Sequence, residues 1–286
     1  LALDDSITID GQPFLKHFQD RFHRAQTKQA LSTLASRFPA AVVMLDLATE
    51  QIAGSSLAPV TDVLYYKALQ VAGYSRFLKV ATLERKFKQD GRYEEFLELC
   101  KAETDMEWAQ IQNDELVVDS VLPGLAHTMY PEIFRSDQDF LGASTESIQL
   151  ATGRVEEIVD IIRAHTGKEH VIFVIDEVGQ YVGADQSKIL DLQGFSENIK
   201  NHGQGKIWAI CTAQQTLTED DERIALNSPA LFKLKDRFPI PVDLKSSDIR
   251  EICYKRLLAK SDAGRSALER LFEQHGQALR HNTKLE

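Results

Sequence analysis

The chain has 286 residues, of which 43% are hydrophobic, and its formal net charge is −10 at pH 7. This composition is ordinary for a globular protein, and the charge argues against a chain that coats nucleic acid through bulk positive charge. No apolar run approaches the roughly 20 residues of a membrane-spanning helix, and the first residues lack the basic flank and apolar core of a signal peptide. We therefore expect a cytoplasmic protein with no membrane association.

The cysteines and histidines show no pattern that is typical of a metal site or a disulfide framework. Cys100, Cys211 and Cys253 are far apart and form no C-x-x-C pair, and the eight histidines lack metal-ligand spacing. The cysteines are interpreted as small buried side chains in a reducing compartment.

The first predicted elements are a helix, a strand and a second helix. Apolar residues at helical spacing predict one helix over 14–38, which Pro39 ends. The apolar run from Ala40 to Leu45 predicts a buried strand over 40–47 that ends in Asp46. A Gly/Ser/Pro-rich loop is predicted over 48–60, followed by a helix over 61–73.

Residues 74–142 show mostly helical patterns, which we interpret as a helical insertion between two core strands. Breaks are expected at Gly91, at Pro123-Gly124 and at Pro131. A further helix is predicted over 145–166. Its apolar side consists of Ile148, Val155, Ile158, Ile161 and Ile162.

The second half of the chain alternates strands with helices, which predicts a parallel sheet with helices on both faces. The predicted elements, in chain order, are a strand over 170–176, a helix around 187–202, a strand over Ile207–Cys211, a short helix over 224–235, a proline-broken strand over Phe238–Leu244, a helix from Ser246 or Ser247 to about Lys260, and a helix over roughly 264–280.

The strand over 170–176 carries the strongest chemical pattern. The apolar run from Val171 to Ile175 leads directly into two adjacent carboxylates, Asp176 and Glu177. Ligands of open α/β sheets bind beyond the carboxyl ends of such strands. In a P-loop nucleoside triphosphatase, the first acid would hold Mg²⁺ through water and the second would orient or deprotonate the attacking water. The alternative is a strand that simply ends in polar residues.

Polar residues also follow the next strand, in the order Thr212-Ala213-Gln214-Gln215. In ATPases of this kind, a polar side chain at the end of the strand beside the acidic one helps to hold the attacking water. Gln214 is the first candidate for this role and Thr212 is the second. The alternative is a turn that is rich in hydrogen-bonding residues.

Arg237 stands just before the predicted strand over 238–244. An arginine at such a place can face the γ-phosphate in a neighbouring subunit, where its planar guanidinium matches the phosphate oxygens. The alternative is a surface arginine paired with Asp236 or Asp243. The order of acidic strand, polar-ended strand and arginine favours nucleotide chemistry over the separate alternatives.

A phosphate-binding loop of the form G-x-x-x-x-G-K-[ST] does not occur in this sequence. The pairs Gly167-Lys168 and Gly205-Lys206 precede predicted strands, whereas a phosphate loop opens a helix. The first residue is not Met, and Leu285-Glu286 is similar to the remnant of a cloning site. We therefore expect a fragment whose phosphate loop precedes Leu1 in a longer protein.

Several phrases are long enough to be specific. They are F-P-A-A-V-V-M-L-D-L-A-T-E (38–50), S-L-A-P-V-T-D-V-L-Y (56–65), V-I-F-V-I-D-E-V-G-Q-Y-V (171–182), T-A-Q-Q-T-L-T-E-D-D (212–221) and L-F-K-L-K-D-R-F-P-I (231–240). These phrases resemble the BrxC/PglY family of P-loop ATPases from BREX phage-defence systems. The segment D-I-R-E-I-C-Y-K-R-L-L-A-K (248–260) fits the lid region of that family, so the resemblance covers nearly the whole chain.

The resemblance implies a three-layer α/β/α core of the AAA+ type that uses ATP and Mg²⁺. It implies that Asp176 is the Mg²⁺-side acid, Glu177 the catalytic acid and Gln214 the sensor. Arg237 would be the arginine finger, and Thr212 would contribute to nucleotide binding with the two acids.

The same resemblance predicts the domain organisation. It implies an N-terminal helical segment (1–39), an ATPase core (40–245) with its insertion at about 74–142, and the start of a helical lid (246–286).

The function implied by the resemblance is ATP binding and hydrolysis coupled to assembly of a defence complex on DNA. The implied partners are further copies of the chain, in a ring or a dimer through the ATP site, and other BREX proteins, with DNA contacted indirectly. The alternative is a non-catalytic scaffold with a degenerate or incomplete nucleotide site. On that view the helices over 14–38 and 74–142 are docking surfaces.

Overall fold

The computed structural model describes residues 1–49, 58–144, 148, 154–183, 185–213, 237–242, 253 and 260–283. The chain divides into two compact units, Leu1–Pro239 and Ile240–Glu286. In the described residues, the first unit contains the strands and most of the helices, and the second contains one long helix.

The strands form a short hairpin and a parallel sheet. β1 (Thr8–Ile9) and β2 (Gln12–Pro13) pair antiparallel. β3 (Ala40–Asp46), β4 (His170–Asp176) and β5 (Ile207–Cys211) form a parallel sheet in the order β3-β4-β5. Each of these three is a strand that a continuous apolar run predicted, so the α/β class and the parallel pairing are confirmed.

The helices that the structure describes are, in chain order, α1 (Phe14–Asp20), α2 (Ala25–Arg37), α3 (Val60–Val71), α4 (Leu78–Gln89), α5 (Tyr93–Thr104), α6 (Trp108–Ile111), α7 (Glu115–Met129), α8 (Asp137–Gly142), α9 (Arg154–Thr166), α10 (Val178–Val182), α11 (Gln186–Gly203) and α12 (Asp262–Thr283). The helical character predicted for 74–142 is confirmed by α4 to α8. The predicted helices around 187–202 and 264–280 correspond to α11 and α12.

One face of the parallel sheet is buried under α3, α9 and α11. Val43 and Phe173 point into this core, because successive side chains of a strand point to opposite faces. The ring of Phe173 meets that of Phe195 edge-on, with centroids 5.7 Å apart. At the start of α3, the carboxylate of Asp191 in α11 accepts hydrogen bonds from N and Oγ1 of Thr61, at 2.9 and 2.7 Å. This carboxylate supplies a partner for a helix-terminal N–H group and ties the two helices together.

The opposite face of the sheet is largely open in the part of the chain that the structure describes. Met44, Trp208 and Ile210 point to this face and are 51%, 53% and 52% exposed. The described residues therefore show two layers of the predicted three-layer core, the sheet and one layer of helices.

The helical insertion has a hydrophobic core of its own. The ring of Phe96 stacks on Phe87 with centroids 4.6 Å apart and meets Trp108 edge-on at 5.0 Å. A buried ion pair between Arg85 of α4 and Glu157 of α9 joins this group of helices to the helical layer of the sheet. Loss of one partner of such a pair would leave the other buried charge unpaired, which is costly. The pair therefore fixes where the insertion attaches.

The predicted single helix over 14–38 is wrong in one respect, because the chain leaves the helix after Asp20 and re-enters it at Ala25. The apolar spacing in the sequence continues through the break, and Phe22 packs edge-on against Phe18 with ring centroids 5.1 Å apart. The side-chain amide of Gln19 bridges the two helices by donating to the carbonyl of Lys28 at 2.8 Å. Periodicity alone does not report a break of this kind.

Two further predictions are corrected by tertiary packing. Pro123 and Gly124 lie inside α7 and do not break it, because the apolar side of α7 is buried in the insertion core and outweighs the lost hydrogen bond. Ile148 packs in that same core, whereas Val155 to Ile162 pack under the sheet. The residues predicted on one side of a helix over 145–166 therefore belong to two different cores.

The proline-broken strand predicted over Phe238–Leu244 is absent from its described part, residues 238–242. Pro239 and Pro241 have no N–H group and cannot donate to a sheet. The predicted helix over 224–235, most of the predicted helix from Ser246 or Ser247 to about Lys260, and residues 50–57 of the predicted loop lie outside the described residues.

Among the helices of the described residues, none combines the length and the apolar character needed to cross a membrane. Cys100 is buried, as expected, whereas Cys211 and Cys253 are half-buried.

A charged group at the amino ends of β3 and β4 fastens the N-terminal segment to the sheet. Nζ of Lys168 lies 2.5 Å from Oδ1 of Asp4 and 2.6 Å from Oδ1 of Asp5. The N–H of Val42 donates to Oδ2 of Asp4 at 2.9 Å, and the N–H and hydroxyl of Ser6 donate to Oδ1. Burial raises the pKa of Asp4, but the hydrogen bonds outweigh burial and leave this pKa below its usual value. The side chain of Asp4 is 7% exposed and that of Asp5 is 81% exposed.

We expect Asp4→Asn to lower the free energy of unfolding by about 2 kcal/mol at pH 7, because buried hydrogen bonds to a carboxylate are lost. The pKa of Asp4 is lower in the folded than in the unfolded chain. Its contribution is therefore complete above the unfolded pKa of 3.8 and is lost as the pH falls through the folded pKa. Urea unfolding should show the difference between wild type and Asp4→Asn narrowing below pH 3.8.

The control is Asp5→Asn, because Asp5 contacts the same lysine from an exposed position. It should change the free energy of unfolding by less than about 0.5 kcal/mol. Equal losses in the two variants would contradict a buried clamp at Asp4.

Candidate functional site

The carboxyl ends of β3, β4 and β5 carry polar side chains at the same level of the sheet. The register pairs Asp46 with Asp176 and Ile175 with Cys211, which places Thr212 beside Asp176. The structure therefore brings the predicted residues Asp176 and Thr212 together, and adds Asp46, to which the sequence pattern assigned no role.

Glu177 forms the tight turn between β4 and α10. Its backbone lies in the left-handed region (φ 60°, ψ 26°), which costs a residue with a side chain roughly 1–2 kcal/mol. Its N–H donates to Oδ1 of Asp176 at 3.1 Å and to Oγ1 of Thr212 at 3.2 Å. Glu177 is half-buried, with Oε2 shielded from solvent, whereas Asp176 is exposed. The turn thus places two adjacent carboxylates in different surroundings.

The residue after β5 holds this turn from the side. The hydroxyl of Thr212 donates to Oδ1 of Asp176. The N–H of Thr212 donates to the carbonyl of Ile175 at 3.0 Å, and its carbonyl accepts from the N–H of Val178 at 3.0 Å. The acid turn and the end of β5 are therefore one hydrogen-bonded unit.

Gly179 and Ala213 bring α10 against the end of β5. A Cβ added at position 179 would lie 2.7 Å from Cβ of Ala213, which is closer than two non-bonded carbon atoms can approach. The absence of a side chain at Gly179 is what allows the first turn of α10 to lie flat against Ala213.

Asp46 is held by the turn that follows β3. Its Oδ1 accepts from the N–H of Ala48 at 2.9 Å, and its Oδ2 accepts from the hydroxyl of Thr49 at 2.7 Å. The hydrogen bond from Thr49 keeps the pKa of Asp46 below its usual value. The signal that could have found Asp46 is its place at the end of the apolar run next to the acidic strand, although only the sheet order shows that the two runs are neighbours.

Arg237 pairs with an acid that the sequence did not single out. Its guanidinium forms an ion pair with the carboxylate of Glu197 in α11, and both side chains are about half exposed. Asp236 and Asp243, the alternative partners in the sequence, lie outside the described residues. The next residue, Phe238, packs against the sheet core and holds the arginine at the surface of the first unit.

Gln214, the first candidate for the sensor, lies outside the described residues, so its role stays a prediction. Within the described ranges, no group of three or more His, Cys, Asp or Glu is arranged to hold a metal ion. Mg²⁺ in nucleotide enzymes is held by one or two carboxylates together with waters and phosphates. The exposed carboxylate of Asp176 fits this arrangement, because it offers hard oxygen ligands at the end of a strand.

No protein-family model matches the chain, and no solved structure matches it. What supports a role for this edge of the sheet is therefore its own geometry. That geometry consists of the strand order, the left-handed turn at Glu177 and the hydrogen bonds around Asp176.

We expect Gly179→Ala to lower the free energy of unfolding by about 2 kcal/mol, because the new methyl group meets Ala213 and the backbone must shift. The control is Gly194→Ala in α11, where an added Cβ meets no atom within 4 Å. That change should be neutral or stabilise the protein by up to about 1 kcal/mol. Urea unfolding compares the two variants, and a loss at position 179 no larger than at 194 would rule out the close contact.

Proposed function

We propose that the chain is the ATPase core of a BREX-type phage-defence protein related to BrxC and PglY. In this proposal it binds ATP with Mg²⁺, hydrolyses it, and couples hydrolysis to assembly of a defence complex. The observation that carries the proposal is the pair Asp176 and Glu177 in a strained turn at the carboxyl end of the central strand.

The strand order supports the nucleotide interpretation. The strand that ends in two acids lies between β3 and β5, and β5 continues into a polar residue, Thr212, at the same edge. Ligands of parallel α/β sheets bind at this edge, because the polar groups at the carboxyl ends of the strands converge there. An AAA+ core places its acidic strand and its polar-ended strand side by side in the same way, as the resemblance implies.

The two acids have different surroundings, which suits two different roles. Asp176 is exposed and would hold Mg²⁺ through water. Bound Mg²⁺ would neutralise the charge on the phosphates. Glu177 is half-buried and would orient the attacking water and accept its proton.

Self-association through the ATP site is part of the proposal. Arg237 is half-exposed and pairs with Glu197 through a surface ion pair, which contributes little stability and is easily exchanged. Phosphate oxygens of a nucleotide bound to another copy could replace that carboxylate, because the guanidinium binds both groups with the same donors. The proposed partners are therefore further copies of the chain and other BREX proteins, with DNA contacted indirectly.

A non-catalytic scaffold is the second candidate function. It is supported by the exposed apolar side chains of the first two helices, which include Phe18 and Leu34, and by Phe38, which follows them. On this view the helices dock partner proteins, and the nucleotide chemistry is dispensable.

Hydrolysis by the full-length protein separates the two candidates. We expect Glu177→Gln to lower kcat for ATP by about 100-fold or more, because the amide cannot accept the proton of the attacking water. Nucleotide binding should persist. The control is Glu169→Gln, which removes a carboxylate near the opposite end of β4, where it pairs with Lys206. Equal rates in wild type and Glu177→Gln would refute the catalytic assignment and favour the scaffold.

A mixing experiment tests the role of Arg237 across an interface. Arg237→Ala alone should lower kcat by about 10³-fold if the guanidinium stabilises the transition state. Mixing Arg237→Ala subunits with Glu177→Gln subunits should restore part of the activity, because some interfaces then contain both intact residues.

The control mixes Glu177→Gln subunits with subunits that carry both substitutions. No interface in that mixture has an intact pair, so its rate should not rise. If the first mixture also shows no recovery, the arginine does not act in trans.

A further inference from the structure

Thr212 contacts four consecutive residues of the acid turn. Its N–H binds the carbonyl of Ile175, its hydroxyl binds Asp176, its Oγ1 accepts from the N–H of Glu177, and its carbonyl accepts from the N–H of Val178. Three of these contacts use backbone atoms of Ile175, Glu177 and Val178, and the fourth uses the carboxylate of Asp176.

The hydroxyl group of Thr212 donates its proton in a hydrogen bond to the carboxylate of Asp176. A threonine hydroxyl has one proton to donate and two lone pairs to accept with. The proton points to Oδ1 of Asp176, and one lone pair faces the N–H of Glu177. In this arrangement the hydroxyl does not have a second proton to offer to a phosphate or to an attacking water.

The contacts act where the backbone is strained. A left-handed residue with a side chain persists only when its surroundings hold it. The N–H of Glu177 is held by two acceptors at once, the hydroxyl of Thr212 and the carboxylate that the same hydroxyl orients. Removing the hydroxyl takes away one acceptor and frees the other to rotate.

We propose that Thr212 is a positioning residue that sets the rotamer of Asp176 and the left-handed backbone of Glu177. This role differs from direct contact with the attacking water, which the sequence suggested for Thr212. The kinetic consequence rests on the proposed ATPase function, whereas the structural consequence does not. Because Thr212 continues β5, a displacement of the end of that strand would move both carboxylates together.

The test compares Thr212→Val, which keeps the branched shape and loses the hydroxyl, with Thr212→Ser, which keeps the hydroxyl. Amide hydrogen exchange of the full-length protein reports the turn without any nucleotide. Exchange at the amide of Glu177 should rise about tenfold in Thr212→Val, the effect of losing one hydrogen bond, and should return to near the wild-type rate in Thr212→Ser.

The kinetic arm measures kcat and KM for ATP in the same proteins. Thr212→Val should lower kcat by about 10- to 100-fold through misplaced carboxylates, with KM changed by less than about threefold. Thr212→Ser should restore most of kcat. The matched control is Thr166→Val, which removes a hydroxyl that donates to the carbonyl of Ile162 at the end of α9, before the amino end of β4, and should leave kcat unchanged.

Unchanged exchange at Glu177 in Thr212→Val, or equal behaviour of Thr212→Val and Thr212→Ser, would overturn the positioning role. A wild-type protein without ATPase activity would instead refute the proposed function. The exchange comparison would still decide the role of Thr212 in that case, so the two failures are distinguishable.

Discussion

Parallel pairing of β4 with β3 on one side and β5 on the other determines where every polar group at the carboxyl edge lies. With Asp46 level with Asp176, and Ile175 level with Cys211, the strands end together and their last polar residues meet. A register slip of one residue would turn each side chain to the opposite face of the sheet. It would expose Phe173 and Ile175, which are fully buried, so burial of the core face holds the register that the site needs.

The turn after β4 is where stability and the proposed chemistry meet. The left-handed backbone at Glu177 is a local cost, and strained residues of this kind persist when neighbouring structure holds them. The groups that hold the turn follow directly after β5: the hydroxyl of Thr212 donates to Asp176 and accepts from the N–H of Glu177, and Ala213 contacts Gly179. The acids are thus fixed by the neighbouring strand as well as by their own.

The proposed ATPase and the scaffold draw on different parts of the same unit. The acid turn lies at the carboxyl edge of the sheet, whereas the exposed apolar side chains that support the scaffold lie on α1, on α2 and at Phe38. The insertion contributes a separate aromatic core that is joined to the sheet layer by Arg85 and Glu157. This separation lets contacts with partner proteins and contacts with a nucleotide occupy different surfaces.

Much of the fold was predictable, because each strand of the parallel sheet coincides with a run of consecutive apolar residues. The runs at 40–45, 171–175 and 207–211 are apolar throughout, and the structure has a strand at each. The sequence predictions fail where packing against a segment that is distant along the chain determines the local structure. Pro123 stays helical because its helix is buried, and Ile148 joins a different core from Val155 because the insertion competes for it.

The sequence by itself determined the three strands, their parallel class and the two adjacent acids at the end of the middle strand, because these depend on local runs of side chains. Only the tertiary structure decided which groups stand beside those acids. Thr212 reaches Asp176 and Arg237 reaches Glu197 across long stretches of chain, and Asp46 becomes a neighbour of Asp176 only through sheet order. Spacing along a chain encodes periodicity, but it does not encode which distant segment will pack alongside.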